Sequence, residues 1–281
     1  MSTLTAPTTP PASPARRSTH TDARLGFGHL VRAQWIAVSS LRGNLVALIL
    51  GTIATAGLAA AFALLIAFSS ASADGATMMP PLAVPAMATH IVAAIVAVVV
   101  AVSLYSKERS TGAHLTMLAV APRRVGQIGA KAVVVGASSF VAGLVAMVLS
   151  TAGVAIVYAA FGSPLGVESF AGDIIAPIIG SAFYIAACAV FALGISVLVR
   201  SETWAILIVL LYLLMLPSVL MMLPFEWAPV VSEYLLSTTN TMLVNPFTGI
   251  SADWISDVAL TIAWPAAALG VGMIVERSRD A

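Results

Sequence analysis

The side chains able to do chemistry are few, and the densest group lies in one stretch, YSKERSTGAHLTMLAVAPRRVGQIGAK, from Tyr105 to Lys131. It carries Lys107, Glu108, Arg109, Arg123, Arg124 and Lys131. Between them lies a short apolar patch of Leu115, Met117, Leu118 and Val120, too short to cross a bilayer. A basic loop tipped by a small apolar helix is a handle that a soluble protein can grip. It is not a bond-breaking centre. The four histidines, His20, His29, His90 and His114, are scattered, and no HExxH, paired-carboxylate or Ser-His-Asp pattern joins them. Lys107 and Lys131 follow Ser106 and Ala130, and neither stands in the Gly-Lys-Ser/Thr of a phosphate-binding loop. The single cysteine, Cys188, forms no internal disulfide and no cysteine metal cluster, and it reads as a small packing residue. The chain thus carries no catalytic residues, no metal site and no cofactor site legible in its sequence.

The elements around that stretch are apolar. Of 281 residues, 60% are hydrophobic and only 9% charged, with a mean hydropathy of +1.01. Soluble domains carry about 25% charged residues, so most of this surface has to face lipid. Six runs are long enough to span as helices: Leu45 to Phe68, Met87 to Leu104, Ala132 to Phe161, Ile174 to Val199, Thr203 to Leu223 and Val258 to Val275. The expected fold is all-α, a polytopic membrane protein. Pro177, Pro217 and Pro265 fall in or near spans and are expected to bend them, as fixed shape or as hinges. His90, near one end of the second span, reads as an interfacial histidine rather than a ligand.

Charge sets the expected orientation. With the N-terminus inside, all 13 lysines and arginines fall on the cytoplasmic side, including Arg16, Arg17, Arg24, Arg200, Arg277 and Arg279. Asp74, Glu168, Asp173, Glu226, Glu233, Asp253 and Asp257 fall outside, where no basic residue accompanies them. This satisfies the positive-inside rule and implies cytoplasmic termini. Residues 1–24, rich in Ser, Thr and Pro, read as a disordered cytoplasmic tail, and no cleaved signal peptide is expected. Residues 25–43 follow as an amphipathic helix in the membrane interface, with Phe27, Val31 and Trp35 on its apolar side and Arg32 and Arg42 among its polar residues. Its alternative is a cytosolic extension of the first span. The long segment between spans five and six holds two apolar pieces, Val230 to Leu236 and Met242 to Phe247, too short to span. They read either as short helices dipping into the outer leaflet against protein, or as a surface loop.

At the loop, the sequence resembles a bacterial ABC transporter permease of the type-2 export family. Members carry a Glu-Arg/Tyr-x-x-Gly-Thr-like stretch, a short helix, then Pro-x-Arg/Ser before the third span. The matching positions are Glu108, Arg109, Gly112, Leu115, Leu118, Pro122, Arg123 and Arg124. The ending VERSRDA is also similar to that of such permeases. The order Gly112-Ala113-His114 departs from the Gly-Thr or Gly-Ser of many relatives. The resemblance covers residues 25–281, spans 45–275 included.

It implies a subunit of the bacterial plasma membrane that is not itself an enzyme. A separate ABC ATP-binding subunit would bind ATP and Mg, docking on loop 105–131 at the short helix Ala113 to Val120. A second permease chain, identical or paralogous, would close the pathway, and no nucleic acid is involved. Gly51, Gly57 and Ala61 are candidates for close approach between or within subunits. Met215, Met221 and Met222 read as lining of an adaptable cavity or as filler. The competing class is an ion-coupled secondary transporter or channel. The near absence of ionisable residues at mid-span disfavours it.

Overall fold

The computed structural model describes residues 26–40, 42–72, 80–110, 124–239 and 241–278. Among them the regular structure is helical throughout, without strands. Six helical segments are long and apolar enough to cross a membrane: Arg42–Ser70, Ala83–Arg109, Gly126–Ala160, Ala171–Val199, Glu202–Met222 and Ala252–Ser278. They are spans one to six below. The chain is therefore a multi-pass membrane protein. Each span overlaps one apolar run, and most extend beyond it.

Span four is the hub. In its most apolar window 67% of residues are buried, against 22% in spans one, five and six. It packs against spans two, three and six. Its small residues let backbones approach closely. A Cβ on Gly194 would sit 2.7 Å from the Ala268 carbonyl carbon of span six. Gly143 of span three lies close to Ala182 in the same way, a Cβ there falling 3.1 Å from the Ala182 Cα. Gly51 of span one is buried against Val96 of span two, so its close approach lies within the subunit. Gly57 and Ala61 face outward, as do Met215, Met221 and Met222.

Two of the three prolines coincide with π turns. Pro177 follows the π turn Ala171–Ile175, and Pro217 follows Leu211–Met215. Proline clashes with the carbonyl four residues back, here Asp173 and Leu213, and both fall inside the widened turns. The π turn relieves the clash without ending the span. Pro265 sits inside the sixth helix without a π turn.

The segment between spans five and six folds back into the bundle. It forms short helices at Trp227–Glu233 and Thr241–Val244, shifted a few residues from the apolar pieces of the sequence. The backbone N–H of Leu236 donates to the Tyr212 hydroxyl at 3.2 Å, and Trp264 Nε1 donates to the Tyr234 carbonyl at 2.8 Å. Tyr212 and Trp264 lie near the middles of spans five and six, so the segment reaches mid-depth. Leu236 and Thr239 are fully buried there, and the hydroxyls of Thr239 and Thr261 meet at 3.4 Å. A chain at that depth has to pair its backbone groups with protein. Here aromatic side chains supply partners for two of them.

Candidate functional site

The basic residues gather where span two ends and span three begins, the basic end of the bundle. The helix of span two runs past Leu104 to Ser110, and the third helix already starts at Arg124. Most of the polar margins of loop 105–131 are therefore helical. Lys107 and Arg109 occupy the last turn of the second helix, where cations complement the exposed carbonyls.

Lys131 is buried, although it is charged. A buried ammonium needs a partner, and Lys131 Nζ forms an ion pair with Glu108 Oε2 across spans two and three. Both Lys131 and Arg109 also sit over the Tyr105 ring, at 5.2 and 5.9 Å from its centroid. Lys107 Nζ donates to Asn44 Oδ1 of span one at 3.1 Å. Ser103 Oγ donates to Glu202 Oε1 of span five at 2.6 Å. Arg200 Nη2 pairs with Glu276 Oε2 of span six at 3.2 Å. Polar cross-ties thus reach all six spans at this end, three of the four through span two.

Arg200 ends span four in the left-handed region, with φ 60, and Ser201 follows in extended conformation. That reversal starts span five at Glu202 and so brings Glu202 to Ser103. One guanidinium nitrogen of Arg109, Nη1, is buried without a hydrogen-bond partner among the described residues.

The helix Phe27–Ser40 lies against the start of span three. Phe27 and Leu30 approach Gly129 and Gly126. Its buried residues are Gln34 and Val38, with Leu30 and Val31 partly buried. Phe27, Arg32 and Trp35 are exposed, and Arg42 opens the next helix. The stripe against the bundle is thus rotated away from Trp35.

No protein-family model and no curated protein matches this chain.

Of the loop residues singled out from sequence, Glu108 and Arg109 belong to the helical end of span two, and Arg124 starts the next helix. Gly112, Leu115, Leu118, Pro122 and Arg123 lie outside the described residues, as does the short helix expected at Ala113 to Val120. The structure brings Glu108 together with Lys131 and Arg109 with Tyr105. Asn44, Ser103, Glu202 and Gln34 were missed by sequence reasoning. Gln34 and Asn44 did leave a signal, being amides set at the margin of apolar runs where neither is needed for solubility.

Proposed function

We propose that this chain is the membrane-spanning permease subunit of an ATP-driven ABC exporter of the type-2 family. A separate ATP-binding subunit docks on residues 105–131 from the cytoplasm and holds the ATP and Mg. The termini are cytoplasmic, the helix Phe27–Ser40 lies at the cytoplasmic interface beside the docking loop, and a second permease chain completes the unit in the bacterial plasma membrane. The observation that carries this reading is the set of cross-ties at the basic end.

A force delivered to the loop enters spans two and three first. The Glu108–Lys131 pair keeps those two ends together, so they respond as one body. The bonds from Lys107 to Asn44 and from Ser103 to Glu202 pass the displacement to spans one and five. A chain with this linkage and no phosphate-binding loop suits a subunit driven from outside itself.

The test is purification from native membranes, with co-purifying proteins identified by mass spectrometry. A cassette ATPase is expected with the wild-type chain. It should be lost from the Leu115→Asp/Leu118→Asp variant, which should still insert into the membrane. An ATPase retained by that variant, or absent from the wild type, would overturn the reading.

A further inference from the structure

At the acidic end, the segment entering span six divides two chambers. Leu243, Asn245 and Phe247 border one, and Val244, Asn245 and Pro246 border the other. The first chamber has a volume of about 380 Å³ and is walled by Ile179, Gly180, Phe183, Phe247, Trp254 and Val258. Its wall is almost wholly carbon, and Asn245 and Trp254 are the lining residues that carry polar side-chain atoms. The second, about 300 Å³, is more polar and includes His90.

The apolar chamber is held open by backbone contacts rather than by mobile side chains. Gly180 lets span four touch the Leu243 carbonyl directly. The Phe247 N–H donates to the Gly172 carbonyl at 2.8 Å. Phe247 and Trp254 meet edge to face, with centroids 5.7 Å apart. Such a cavity is formed before anything enters it.

Its depth fixes where an occupant comes from. Phe183 is twelve residues into span four, which begins at Ala171, so the wall reaches about 18 Å into the bundle at 1.5 Å per residue. Trp254 is only two residues into span six, so the chamber runs from the acidic end of the spans inward to hydrocarbon depth. At the small end of the ligand-pocket range of about 300–1,000 Å³, it has room for one slim chain and not for a two-chain lipid. A tail gains little by leaving one apolar phase for another, so retention has to come from the aromatic walls and from a polar group at the mouth. Asn245 supplies that group.

We propose that this chamber binds the tail of a single-chain amphiphile taken from the surrounding leaflet, with the Asn245 amide receiving its headgroup. The site depends only on embedding in a bilayer and not on ATPase docking.

The experiment uses the full chain in phosphatidylcholine nanodiscs with two photoreactive probes, a lysophosphatidylcholine and a two-chain phosphatidylcholine, each with a diazirine in the tail. Adducts are mapped by mass spectrometry. The single-chain probe should label Ile179, Phe183, Trp254 and Val258 saturably, about tenfold above the lipid-facing controls Leu207 and Leu211. Ala176→Phe and Val258→Phe, each of which fills the chamber from a different helix, should remove that excess, and Asn245→Leu should raise the half-saturating concentration. Labelling no stronger than at Leu207 and Leu211 would overturn the proposal. So would equal labelling by the two-chain probe, or an excess that survives in whichever filled variant retains the wild-type melting temperature. None of these outcomes bears on ATPase co-purification, so the two readings fail separately.

Discussion

The Trp264 indole nitrogen lies 2.8 Å from the Tyr234 carbonyl oxygen, tying the middle of span six to the end of the short helix Trp227–Glu233. Trp264 also packs at a tilt against Tyr212, with centroids 5.4 Å apart, and meets Phe191 edge to face at 6.3 Å. Spans four, five and six thus share one aromatic cluster, and the inward-folded segment hangs from two of its members.

Trp264→Phe keeps the ring and removes the donor. It is expected to destabilise by about 0.5–1.5 kcal/mol, the net worth of one hydrogen bond. Trp264→Ala also removes the packing and should cost about 3–5 kcal/mol. Thermal unfolding in nanodiscs checks both. Equal melting temperatures for wild type and Trp264→Phe would show that the bond carries no weight.

Gly194→Ala places a methyl 2.7 Å from the Ala268 carbonyl carbon and has to push span six from span four. A loss of about 1–3 kcal/mol is expected for such overpacking. Gly57→Ala is the matched control, because nothing lies within 4 Å of its new methyl. It should be neutral or slightly stabilising, since alanine favours a helix by about 0.8–1.0 kcal/mol over glycine. The comparison is read from melting temperatures of the two variants in the same lipid.

For the ion pair, a double-mutant cycle is decisive. Glu108→Gln leaves the Lys131 ammonium buried and unmatched, and a loss of about 3–5 kcal/mol is expected. Adding Lys131→Met should recover much of it, because the unmatched charge is then gone. Additive losses in the double variant would mean that the two side chains do not act on each other.

Orientation is checked with single cysteines in a Cys188→Ser background, Cys188 itself being buried. An impermeant maleimide added to intact cells is expected to label Ser163→Cys, between spans three and four, and to miss Ser278→Cys until the membrane is opened. The reverse pattern would invert the topology.

The spans were legible because hydropathy reports contact with lipid, and all six runs found a helix. The same measure is blind to contact between helices. Lys131 looked like a loop residue because its partner, Glu108, is 23 positions away and only the fold brings them together. The helical ends Tyr105–Ser110 and Arg124–Lys131 were hidden for the same reason. On the helix Phe27–Ser40, counting apolar residues found Val38, which is buried, but not Gln34, which is buried beside it. Prolines 177 and 217 announced irregular helix, but not that a π turn would absorb each clash. The inward fold of residues 227–247 showed only as two short apolar pieces, since its anchors, Tyr212 and Trp264, lie in other spans.

The left-handed Arg200 gives spans four and five a link of only two residues, whereas 29 positions, 223–251, separate the ends of spans five and six. Ser103 and Arg200 further fasten this end to spans two and six. Two rods joined so tightly behave like tongs riveted at one tip. They cannot part at the rivet, so any gap between them widens with distance from it and is greatest beside Met221 and Met222. The segment that follows hangs from Tyr212 of span five and Trp264 of span six, so any such swing has to be carried through those two bonds.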